Sequence, residues 1–63
     1  MEISEIKVGS VYETAGRQLR RVLRLTSLHV WYEIQSSRPP FYRVSVFKQK
    51  FAADAVRKQG SVD

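Results

Sequence analysis

Residues 28–34, LHVWYEI, constrain the fold of this chain more than any other stretch. Val30, Tyr32 and Ile34 alternate with His29, Trp31 and Glu33, the period that puts successive side chains on opposite faces of a strand. The β-branched and aromatic content suits a half-buried sheet. Val30, Tyr32 and Ile34 are therefore expected in the core, and His29, Trp31 and Glu33 on the other face.

The preceding run, RQLRRVLRL, admits two readings. As a helix it gathers Leu19, Val22 and Leu23 on one side and Arg17, Arg20, Arg21 and Arg24 on the other. So short a helix, with no good N-cap after Ala15-Gly16, depends almost wholly on packing. As a strand it pairs with VYET through a turn at Ala15-Gly16, and with LHVWYEI through a turn at Thr26-Ser27. The strand is the preferred reading. It puts Leu19, Arg21, Leu23 and Leu25 on the inner face and Arg20, Val22 and Arg24 on the outer one. Arg21 is the misfit, lifting its head group to water from near a sheet edge.

On the N-terminal side a strand follows a turn at Gly9, with Val8, Val11 and Tyr12 as its apolar candidates. After residue 34, SSRPP must be a loop, because two prolines exclude a regular central strand and Arg38 is pushed extended. FYRVS reads as a short fourth strand. The period then changes: Phe47, Phe51 and Ala55 recur at i, i+4 and i+8, flanked by Ala52 and Val56. Ser45 is the expected N-cap and Gly60 the stop. Lys50, Asp54 and Lys58 form a charge ladder on the outer side. The strands are expected over about 8–14, 17–25, 28–36 and 41–45, and the helix over about 46–59. Tyr12, Tyr32, Phe41 and Tyr42 are expected in the core or at its edge. The chain is expected to be a single small domain, 1–63, with 1–5 and 60–63 frayed.

This is a mostly β architecture with one C-terminal helix, a small SH3-like open barrel. The order G-S-V-Y, G-R-x-x-R-R-V-L-R-L, V-x-Y and F-x-x-K-F resembles small SH3-like domains of unknown function from bacteria and their phages, over residues 9–51. The resemblance implies the fold and carries over no catalytic residue.

Length and composition narrow the chemistry. Sixty-three residues bury about 60% of their extended surface, so a core of this size supplies only a few kcal/mol. Dimerisation is one way such domains gain stability, and a homodimer is among the expected assemblies. The absence of cysteine removes disulfides, thiolate metal sites and cysteine nucleophiles together, and points to a cytoplasmic protein. One histidine cannot make a histidine-based metal centre, and no cofactor motif is present. No apolar run approaches the roughly 20 residues of a membrane span, and MEISEIKVG lacks the apolar core of a signal peptide. His29 and Glu33 stand about 13 Å apart at strand rise, too far for a direct hydrogen bond. Type II plasmid dihydrofolate reductases are small barrels whose site forms in the oligomer, but their site motif has no match in VWYEI. An oligomeric mini-enzyme is accordingly a remote reading, and the chain is expected not to be an enzyme.

Charge and aromatic placement carry the functional expectation. The formal charge is +5, and between Arg17 and Lys58 ten Lys or Arg face two acids, an excess of +8. Such an excess favours a polyanion. Arginines beside Trp31 suit single-stranded nucleic acid, the ring stacking on a base while guanidinium groups hold phosphates. The expected binding residues are Arg17, Arg20, Arg24, His29, Trp31 and Arg38. Nucleic acid is the first partner expected. The alternative is an acidic protein surface, met by a protein-binding module such as a phage-type inhibitor or modulator of a host protein. Against both stands a plain structural role, with Trp31 in the core or a dimer seam and the arginines a solvated face.

Overall fold

The computed structural model describes residues 1–35 and 40–60, with the side chains of Gln59 and Gly60 left aside. A 3-10 turn, Ile3–Glu5, leads into β1 (Val11–Thr14), β2 (Leu19–Leu25), β3 (His29–Ile34) and β4 (Arg43–Phe47). Helix α1 (Lys48–Asp54) and β5 (Ala55–Gly60) follow. The strands form one five-stranded antiparallel sheet in the order β4-β3-β2-β1-β5. The chain is thus mostly β with one helix near the C-terminus, as the sequence predicts.

The strand pairings grow from local turns. Between β1 and β2, Arg17 N–H donates to Thr14 O and Thr14 N–H to Gln18 O, closing a loop over Ala15, Gly16 and Arg17. Arg17 ends that loop in the left-handed region, with φ 65°. Between β2 and β3, the Thr26 hydroxyl accepts from His29 N–H at 2.9 Å, a side-chain substitute for a backbone turn bond.

One face of the sheet carries the core. Ile6, Tyr12, Val22, Val30, Tyr32, Phe51, Ala52 and Ala55 are buried together, with Leu25, Ile34, Val44 and Val46 packed against them. Phe51 drops from α1 between Tyr12, edge to face at 5.6 Å, and Tyr32 at 5.4 Å. The Tyr12 hydroxyl donates to Glu5 O and accepts from Lys7 N–H, tying the N-terminal segment to the sheet. The Met1 ammonium donates to Ala52 O at 3.0 Å, linking the N-terminal segment to α1. Ile6 then closes one side of the core at 4% exposure.

Three expectations about elements are corrected. The first concerns β2. Val22 pairs with Tyr32, but Arg24, not Leu23, pairs with Trp31, so Leu23 is the extra residue of a β-bulge. A bulge reverses the alternation. Arg20 and Val22 therefore face the core before it and Leu25 after it, while Arg21 and Arg24 face outward. The single-parity assignment of Arg20 and Val22 to the outer face, and of Leu19 and Arg21 to the inner one, does not hold.

The second correction concerns the C-terminal segment, expected as a helix over 46–59. Its N-cap is Phe47 rather than Ser45, it ends at Asp54, and residues 55–60 are a strand. Ala55 still joins the core as the first residue of that strand, but Val56, the last apolar residue expected on the stripe, is 56% exposed. The free edge of β1 offers unpaired backbone groups instead. Strand β5 takes them, with Arg57 bonded to Glu13 at 3.2 Å across the pair. Lys50 reaches Asp54 at 3.4 Å as expected, but Lys58 lies on β5 and leaves the ladder.

The third concerns aromatics. Phe47, expected in the core stripe, is 59% exposed, and Tyr42 is 73% exposed. Tyr12 and Tyr32 are in the core. Most of the proline loop expected at 36–40 lies outside the described residues.

Candidate binding face

The outer face of the sheet follows from the strand registers. Arg21, Glu33 and Arg43 stand in one cross-strand row, Arg24, Trp31 and Ser45 in the next, and His29 and Phe47 in a third. Neighbours within such a row have Cβ atoms about 4.5–5.5 Å apart, and adjacent rows are within reach of long or aromatic side chains. Trp31 thus stands between Arg24 on β2 and Ser45 on β4, with Arg43 and the His29–Phe47 pair on the diagonals.

Trp31 is 41% exposed, which removes it from the core. The imidazole of His29 stacks on the Phe47 ring with centroids 4.6 Å apart and planes 28° apart. Together Trp31, Phe47 and His29 form an aromatic platform on a regular stretch of sheet. Flat π surfaces held on paired strands are rigid, and stacking a base on them orders few further rotamers.

The cations around the platform are available. Arg24 and Arg43 are exposed, and among the described residues neither they nor Arg21 makes an ion pair. Arg21 stands opposite Glu33, but Glu33 accepts instead from Gln35 Nε2 at 2.8 Å. Arg21 Nε is buried with no hydrogen-bond partner among the described residues.

The expected site residues divide sharply. Arg24, His29 and Trp31 come together on this face. Arg20 does not: it lies on the opposite face, its guanidinium carbon 4.7 Å from the centre of the Tyr32 ring and 6.0 Å from that of Phe51. Its Nε donates to Gln18 Oε1 at 2.6 Å and its Nη1 lies 3.5 Å from Asp54 Oδ2. Arg20 is a rim of the core that ties β2 to the end of α1. Arg17 is exposed at the β1–β2 loop, beside Glu13 and Arg57 rather than beside Trp31. Arg38 lies outside the described residues.

Arg43, Phe47 and Arg21 join the face without having been expected there. The signal for two of them lay in RVSVF, where Arg43, Ser45 and Phe47 alternate with Val44 and Val46. Arg21 needed the bulge, which no local pattern announces.

The larger concave sites lie elsewhere. One groove, about 410 Å³, runs between the N-terminal turn and β5, lined by Glu5, Lys7, Tyr12, Ala55 and Arg57 among others. Among the described residues no three His, Cys, Asp or Glu side chains converge as a metal site would require, and no helix is long and apolar enough to cross a membrane. No protein-family model, curated protein or solved structure matches this chain.

Proposed function

We propose that this chain is a small, non-enzymatic, cytoplasmic protein that binds single-stranded nucleic acid on an SH3-like barrel scaffold. The observation that carries the reading is the exposure of Trp31, at 41%, in a row with Arg24 and diagonal to Arg43, neither of which makes an ion pair among the described residues. The indole and the His29–Phe47 pair supply stacking surfaces for bases; Arg21, Arg24 and Arg43 supply phosphate contacts. The barrel reading is supported by the meander from β1 to β4 and by the return of β5, after a short helix, to the free edge of β1.

The test is a titration with DNA and RNA oligonucleotides at about 50 mM salt, where the electrostatic contribution is strong, followed by Trp31 fluorescence. Stacking predicts a change in that signal. It also predicts a loss of about 1–3 kcal/mol, roughly five- to 150-fold in affinity, for Trp31→Ala followed by a labelled oligonucleotide. Failure to bind either nucleic acid at that salt sinks the proposal, as does a Trp31→Ala variant that binds like the parent.

A second reading is a module that docks on an acidic protein surface, in the manner of a phage-borne inhibitor of a host protein. It is favoured by Leu28 and Phe47, 62% and 59% exposed beside each other, apolar area that phosphate binding does not use. Pull-downs from lysate with and without nuclease separate the two: nuclease removes the captured material under the first reading and spares a defined protein under the second.

A further inference from the structure

The two edges of the sheet differ in how open they are to another strand. On β5 the pairing with β1 is interrupted by register shifts, and Arg57 and Lys58 are exposed, features that discourage edge-to-edge association. Strand β4 has none of these defences except Arg43 at its start. Its register with β3 is unbroken from Arg43 to Phe47, and it contains no proline.

The ladder fixes which backbone groups of β4 are unused. Ile34 N–H donates to Tyr42 O and Lys48 N–H donates to Leu28 O, so Tyr42 and Lys48 belong to hydrogen-bonded pairs with β3. Such pairs recur at every second residue of an antiparallel ladder. Val44 and Val46 therefore turn their N–H and C=O groups toward β3, while Arg43, Ser45 and the N–H of Phe47 face the open edge; the Phe47 C=O belongs to the first turn of α1, which Phe47 caps.

We infer that β4 is the dimerisation edge of this protein, and that its partner is the β4 of a second copy, antiparallel about a two-fold axis through Ser45. The sequence RVSVF is self-complementary in that register. Ser45 meets its own copy, Val44 meets Val46 of the other chain, and Arg43 meets Phe47 of the other chain. The N–H and C=O of Ser45, the N–H of Phe47 and the C=O of Arg43 then find partners. On the outer face each exposed guanidinium of Arg43 lies against an exposed Phe47 ring, a cation–π pairing made twice by symmetry. On the inner face the valine pairs join the two cores. A shifted isologous register leaves some of these groups unmet. Pairing of β4 with β5 of another copy sets Arg43 against a strand bearing Arg57 and Lys58, and like charges repel.

The rows of the outer face run unbroken across this axis. Two strand spacings beyond the first β4 comes the second β3, so the two Trp31 rings stand about 14 Å apart on one continuous sheet. Dimerisation does not depend on nucleic acid and is tested without it.

The experiment is sedimentation equilibrium of the intact protein from about 10 μM to about 1 mM, a range suited to a small interface. Wild type is expected to pass from monomer to dimer with concentration. Phe47→Glu sets a carboxylate beside Arg43 of the other copy and is expected to keep the dimer. Adding Arg43→Glu sets like charges opposite each other and is expected to leave a monomer. Both positions are exposed, and circular dichroism checks the fold of each variant. Ser45→Pro removes an N–H that serves only the open edge, and gives an independent monomer. A wild type that stays monomeric throughout the range overturns the inference, as does a folded double variant that dimerises like the single one.

Discussion

Arg17 and Arg20 show how differently one residue type is used three positions apart. Arg17 closes the β1–β2 loop at φ 65°, a conformation that costs a side chain with a Cβ about 1–2 kcal/mol. Gly16 sits one position too early to relieve it. Arg17→Gly is expected to raise stability by about 0.5–1 kcal/mol, after the greater chain entropy of glycine is deducted, read as a higher urea midpoint. An unchanged or lower midpoint would mean that the arginine side chain contributes to the loop more than its backbone strain costs. Arg20 behaves in the opposite way. It covers the Tyr32 ring and reaches Asp54 and Gln18, so Arg20→Ala removes packing and hydrogen bonds together. The expected loss is about 1–3 kcal/mol, against less than about 0.5 for Arg24→Ala on the exposed face. Equal losses in the two variants would contradict the assignment of opposite faces.

At the level of elements, β5 decides whether β1 is an edge or an interior strand. A chain ended after Ala55 loses the ladder along β1 and the Arg57–Glu13 bond while keeping all of α1. Such a chain is expected to lose its cooperative thermal transition, monitored by circular dichroism, because a domain this small has little stability to spare. A sharp transition retained near the parent temperature would show β5 to be an accessory. Little of β5 was legible in the sequence, for a physical reason. Phe47, Phe51 and Ala55 fit helical spacing, yet only Phe51 is buried from within α1; Phe47 precedes the helix and Ala55 begins the next strand. What ends α1 is a vacant ladder on β1, more than forty residues away along the chain. Strand β3 was fully legible, since every side chain in it follows one alternation. Strand β2 was legible as a strand but not in its faces, because the alternation breaks inside it. The candidate face followed suit: His29 and Trp31 came from β3, and Arg24 came out correctly because it lies beyond the bulge. Arg20 lies before the bulge and came out on the wrong side.

For the molecule as a whole, the proposed contact with nucleic acid has a measurable electrostatic signature. If Arg21, Arg24 and Arg43 each neutralise a phosphate, the slope of log affinity against log salt is expected near −2 on single strands, roughly −0.7 for each contact. A slope near zero would assign the affinity to apolar contact and favour a protein partner. The net charge of +5 adds attraction at long range without adding to that count of contacts. Two layers of constraint meet in this small sheet, an apolar side that must stay dry and a basic side that must stay wet, and Leu23 is where β2 changes phase between them. Deleting that residue would leave Arg20, Val22 and Leu25 facing inward and Arg21 and Arg24 outward, in unbroken alternation. A one-residue gap inside a central strand, ordinarily a sign of misalignment, is here compatible with an unchanged two-faced sheet. Descendants of a common ancestor with and without this residue can share every facing, and kinship with this chain is best sought by aligning across that gap.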